Sequence, residues 1–146
     1  MQYDRQEVDV KFVLEFSEVN NRIMRVDAVP GQEGLSPDSP GLYELKLRTA
    51  LPSMVELCFS GKKQNLDTEI DSAGNIRKDL CVKIKKIALD NIDVDWFVVN
   101  KVMWFETESN QKFCTDYIGF NGKLTLHMEK DNVFDQIMTW KRLYGV

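Results

Sequence analysis

Between Val8 and Phe16 the sequence reads VDVKFVLEF, with Val8, Val10, Phe12, Leu14 and Phe16 on one parity and mostly polar residues on the other. A period of two belongs to a pleated strand with one face buried and one face wet, and a helix has no reason to keep it. The period returns along the chain. LYELKL sets Tyr43, Leu45 and Leu47 against Glu44 and Lys46, MVELCF follows Leu51-Pro52, and KLTLHM sets Leu124, Leu126 and Met128 on one side. In CVKIKKIALDNI and the residue before it, Leu80, Val82 and Ile84 carry the apolar parity until Lys85-Lys86, after which Ile87 and Leu89 carry it. A slip of one residue predicts a β-bulge, because one extra residue returns the strand to its core face.

The remaining segments fit the same plan. RIMRVDAV is a shorter strand, expected to pair with the first across an Asn20-Asn21 turn. IDVDWFVVNKVMWF supplies more strand, and Gly119 and Gly122 bracket a tight turn before KLTLHM. PGQEGLSPDSPG, from Pro30 to Gly41, gathers three of the four prolines and three glycines and reads as a loop. In NVFDQIMTWKRLYGV, Phe134, Ile137, Trp140 and Leu143 or Tyr144 recur at helical spacing, which allows a short C-terminal helix. Seven to nine short strands separated by turn residues predict an all-β fold: a two-sheet antiparallel β-sandwich, jelly-roll-like, as one domain over residues 1–146.

Composition narrows the function. The formal charge is −4, from 19 basic and 23 acidic residues, and no basic block stands out, so the footprint of a nucleic-acid or anionic-membrane binder is missing. Cys58, Cys81 and Cys114 lack metal or disulfide spacing and are expected as free thiols, Cys58 and Cys81 inside apolar strands. MQYDRQEVDVKF carries charges where a signal peptide is apolar, and no window reaches the roughly 18 apolar residues of a membrane span. Export by the Sec route is not expected.

Catalytic chemistry is sparse. The one histidine, His127, falls on the outward parity of KLTLHM with no serine or cysteine motif beside it, and no dinucleotide, P-loop, zinc-protease or nucleophile-elbow motif occurs. No enzyme activity is expected. The acidic stretch LDTEIDSAGNIRKDL offers Asp67, Glu69, Asp71 and Asp79 as hard oxygen ligands of the kind calcium prefers, with Asn75 as a carbonyl. An EF-hand loop started at Asp67 would need glycine where Ser72 stands and glutamate where Lys78 stands. The competing reading is a solvated hairpin in which Asp71 caps a turn, Gly74-Asn75 take positive φ, and Arg77 and Lys78 balance the charge. Among the aromatics, Trp96 and Trp140 are expected in the core, whereas Trp104, Tyr117 and Phe120 lie beside turns, where core packing and an exposed stacking surface are equally open to them.

The succession VELCFSGKK, DTEIDSAGNIRKDL, CVKIKKIALDNI, an aromatic-bearing segment, YIGFNGKLTLHM and FDQIMTW resembles small β-sandwich proteins associated with the virions of tailed bacteriophages, in which a Y-x-G-x-N-G-like turn precedes a strand. RKDLCVKIKKIALDNI is also similar in layout to the strand after the calcium loop of jelly-roll xylan-binding modules. The first resemblance implies a non-enzymatic decoration, collar, tail or fibre-base protein, without a cofactor. Its partners would be other virion proteins or copies of itself, and its place the virion and, during assembly, the host cytoplasm. The second implies a calcium-dependent carbohydrate-binding module, with calcium on Asp67, Asp71 and Asp79 and sugar stacking on Trp104 and Tyr117. Arg77 and Lys78 beside that loop depart from the pattern, since they repel a cation.

Overall fold

The computed structural model describes residues 7–29, 34–50, 53–63, 67–94 and 103–128. Trp96, Trp140 and the helical period at 132–144 lie outside them. The described residues hold thirteen strands and no helix: β1 (Glu7–Phe16), β2 (Arg25–Val29), β3 (Gly34–Leu35), β4 (Gly41–Ala50), β5 (Ser53–Ser60), β6 (Thr68–Ile70), β7 (Ile76–Asp79), β8 (Val82–Leu89), β9 (Ile92–Asp93), β10 (Met103–Thr107), β11 (Lys112–Phe113), β12 (Tyr117–Ile118) and β13 (Gly122–Met128).

Two antiparallel sheets form the sandwich. One runs β12-β8-β1-β4, with β9 also on β8, and the other runs β11-β10-β13-β5-β2-β3. The period-two residues of both sheets meet in one core. Phe12, Leu14, Phe16, Leu45 and Leu47 come from the first sheet; Val55, Leu57, Phe59, Phe105, Leu124 and Leu126 come from the second. The alternation therefore located the buried face of β1, β4, β8 and β13, as a pleat with one apolar side requires.

The predicted bulge is present. Along β1, Val13 stands opposite Lys86 and Leu14 opposite Ile84, so Lys85 is the extra residue. Leu80, Val82, Ile84, Ile87 and Leu89 are all buried as a result.

Three expectations need correction. The strand after Asn20-Asn21 does not pair with β1: both asparagines take positive φ (55° and 61°), but the turn closes only the single bridge Val19–Arg22. The chain then crosses to the other sheet, where β2 pairs with β5. Ile23 and Met24 explain the crossing, because both pack against the core and Met24 is fully buried there. The Pro/Gly segment is not loop throughout, since Gly34–Leu35 adds to β2 through Val26–Leu35 and Asp27–Gly34. Cys58 faces outward and is half-buried; Cys81 is buried and Cys114 exposed, and all three are free. The outer parity of β5 accounts for Cys58, because Leu57 and Phe59 take the core side.

Candidate functional site

The acidic stretch folds as the β6–β7 hairpin, a small separate ladder beside the sandwich. Asp71 builds its turn, with Oδ1 accepting the N–H groups of Ala73 and Asn75, both at 2.9 Å. Gly74 supplies the positive φ (84°); Asn75 does not, contrary to expectation. This is an Asx-type turn, in which a carboxylate stands in for the next backbone acceptor.

Asp67 and Asp79 take no part in that turn. Asp67 is fully buried, and its Oδ2 accepts the Lys63 N–H at 2.7 Å with the Arg22 guanidinium 3.5 Å away. Asp79 sits at the end of β7, where its Oδ1 accepts from Lys62 Nζ (2.5 Å) and Thr68 Oγ1 (2.7 Å) and its Oδ2 accepts from the Tyr117 hydroxyl. The expected neutralisation by Arg77 and Lys78 is thus corrected: Arg22 and Lys62, distant in sequence, carry it, while Lys78 faces Glu69 across the hairpin. Each of the three candidate calcium ligands has its own separate protein partners. Among the described residues, no three His, Cys, Asp or Glu side chains converge as a metal site requires.

The turn YIGFNG closes around Lys62. Gly119 O accepts a second bond from Lys62 Nζ at 2.6 Å, and the Asn121 side chain pairs with the Lys62 backbone in both directions (2.9 and 2.8 Å). A side chain at Gly119 would meet the Tyr117 ring at 2.9 Å, and one at Gly122 would press into the Glu106 carbonyl and come within 2.8 Å of Phe105 Cζ. The glycines are therefore spaces that let the turn lie against β10 and against the Tyr117 ring. Burial pushes the Asp79 carboxyl up, but the hydrogen bonds from Lys62, Tyr117 and Thr68 outweigh it and hold the group below its ordinary value of 3.8. Burial and the bond to Asp79 push the Tyr117 phenol above its ordinary value of 10.

Over this polar cluster lies a concavity of about 620 Å³, lined by Lys62, Thr68, Asp79 and Gly119 and rimmed by Ile70, Ile76, Tyr117 and Phe120. All four rim residues are exposed: Ile70 by 61%, Ile76 by 63%, Tyr117 by 40% and Phe120 by 41%. Ile70 and Ile76 are direct cross-strand partners in the hairpin, so their side chains stand together on one face. Lys62 Nζ also lies 5.8 Å from the Phe120 ring centre. The polar atoms at the floor are largely spent on one another, which leaves the exposed surface mostly apolar.

The other candidates lie elsewhere. Trp104 is half-buried on the outer face of the six-stranded sheet, with Lys112 Nζ 4.8 Å over its ring and His127 edge-on at 6.0 Å. Tyr117 belongs to the five-stranded sheet, so the two proposed sugar-stacking residues do not share a site. His127 occupies the outward parity predicted for it, with Leu124, Leu126 and Met128 buried. Lys62 escaped the sequence reading because a lysine in SGKK looks solvated; its partners lie 17 and 57 residues away. The Y-x-G-x-N-G turn was the one signal pointing to it. No helix among the described residues is long and apolar enough to cross a membrane. No family model, curated protein or solved structure matches the chain.

Proposed function

We propose that this chain is a non-enzymatic accessory protein of a virion of the tailed-phage kind, and that it docks onto a neighbouring protein through the hairpin concavity. The observation that carries the docking is the clustering of Ile70, Ile76, Tyr117 and Phe120 on one exposed surface. Contiguous exposed apolar surface with a polar surround marks an interaction site more often than scattered single residues do. The virion setting comes from the resemblance in the order of segments, and the absence of catalytic motifs agrees with it.

The internal satisfaction of the floor favours a protein partner over a polar ligand. Lys62, Asp79, Thr68 and the Tyr117 hydroxyl already bond one another, so a sugar or ion would have to break those bonds before making its own. Carbohydrate binding is the second reading, and it rests on the exposed rings of Tyr117 and Phe120.

The test is an Ile70→Asp/Ile76→Asp variant. Both side chains are exposed and the two new carboxylates stand directly opposite each other in the hairpin, so the variant should stay folded and lose no more than about 1 kcal/mol. Its incorporation into particles assembled in producing cells should fall at least tenfold, because desolvating two carboxylates at the centre of an apolar contact opposes docking. Normal incorporation of the variant would remove the concavity from the interface. Heat on titration with oligosaccharide, lost in Tyr117→Ala, would move the carbohydrate reading ahead.

A further inference from the structure

We propose that two copies of this chain join through β4, edge to edge and antiparallel, in one register. The contact is separate from the hairpin concavity and does not depend on it.

Sheet edges are sites of unwanted pairing, and proteins keep them short or covered unless they are used. The edges of the two large sheets follow that rule with one exception. β3, β9, β11 and β12 have two residues each, whereas β4 runs for ten residues from Gly41 to Ala50. Its inner side is paired with β1 along its whole length, from Glu7–Ala50 to Phe16–Gly41. Among the described residues no strand pairs with its outer side.

The sequence of β4 selects the partner. Leu42, Glu44, Lys46 and Arg48 point to the outer face of the sheet, and Leu45 and Leu47 point to the core. A two-fold axis across the edge keeps faces matched only in registers that place like parity opposite like parity. Three such registers lie near the middle of the strand. Centring the axis on Glu44 sets Glu44 against its own copy; centring it on Lys46 sets Lys46 against its own copy and Glu44 opposite Arg48, which Glu7 and Asp9 already neutralise. Centring it on Leu45 sets Glu44 opposite Lys46 of the second copy twice over, and leaves Leu45 against itself on the core side. Opposite charges directly across a strand pair stabilise it, and like charges oppose it.

The charges on this face are already partly balanced within each copy. Lys46 stands directly opposite Lys11 across β1–β4, with Glu44 at 3.3 and 3.9 Å from the two amines as their shared counter-charge. The register sets a second carboxylate, Glu44 of the other copy, opposite Lys46, shared with that copy's own lysines. Arg48 needs none, because Glu7 (2.9 Å) and Asp9 (3.8 Å) already face it.

Sedimentation equilibrium on the full chain, in a dilution series, tests the contact. Wild type is expected to dimerise. Glu44→Lys and Lys46→Glu should each weaken the dimer about tenfold or more, since each replaces two opposite-charge pairs by two like-charge pairs. The exchanged double variant E44K/K46E should dimerise again as wild type does. Both side chains are exposed, so circular dichroism of each variant should match wild type. A chain that stays monomeric throughout overturns the proposal. So does a dimer indifferent to either single change, or one that the double change fails to restore. A dimer broken by Ile76→Asp but not by the charge exchange would place the contact at the concavity and overturn it equally.

Discussion

Replacing Lys62 by methionine is expected to destabilise the protein by about 3–5 kcal/mol, the range for removing one partner of a buried ion pair. Lys62 and Asp79 side chains are only 3% and 11% exposed, so the abandoned carboxylate finds little water to replace the lost amine. The Tyr117 and Thr68 hydroxyls still donate to Asp79, but they carry no charge. Replacing both partners, Lys62→Met with Asp79→Leu, should cost clearly less than the sum of the two single changes, because no unpaired charge is then left buried. Urea unfolding of the four proteins measures this, and additive losses would show that the pair is not coupled. Acid provides a second readout. The folded Asp79 lies below its ordinary 3.8, so its stabilisation is fully present above that pH and is lost as pH falls through the folded value. The gap between wild type and Asp79→Asn should therefore close in acid below about pH 4.

Phe105→Ala should cost a similar amount, about 3–5 kcal/mol, by cavity formation at a site that cannot collapse. Phe105 is fully buried and meets Phe59 edge-on at 6.4 Å and Phe113 at 5.8 Å. On its other side Gly122 lies so close that an added methyl would reach its Cζ at 2.8 Å. Strand backbones paired through Phe105–Leu124 and Phe105–Phe113 hold those walls in place, so the void stays open. The denaturation midpoint should fall with an unchanged m-value. A loss below about 1 kcal/mol would mean that the walls close in and that the ring fills no fixed space.

The contrast between these two sites explains how much the sequence discloses. Phe12, Leu14, Leu45 and Leu124 were legible because burial of one face imposes a local period of two, and the bulge at Lys85 was legible as a break in that period. The role of Asp71 was legible for the same reason, since its bonds reach only to Ala73 and Asn75. Pairing across the sandwich was not. An Asn-Asn turn reads as a hairpin from either side, and only the burial of Met24 between the sheets shows that the chain crosses. The counter-charges of Asp67 and Asp79 were illegible as well, because Arg22 and Lys62 reach them through the folded topology while Arg77 and Lys78 stand nearer in sequence. The exposed apolar rim lay hidden in the same way: Ile70 and Ile76 resemble strand core residues until the hairpin sets them outside the sandwich beside Tyr117 and Phe120.

Docking through that rim is the central claim, and a photoreactive phenylalanine derivative placed at residue 76 tests it most directly. Position 54 is the control, because Met54 is comparably exposed at 49% but lies on β5, away from the hairpin. In assembled particles, irradiation should join position 76 to a second protein and leave position 54 unjoined. Particles that carry the substituted chain normally and yield no adduct from position 76, or the same adduct from both positions, would contradict the account.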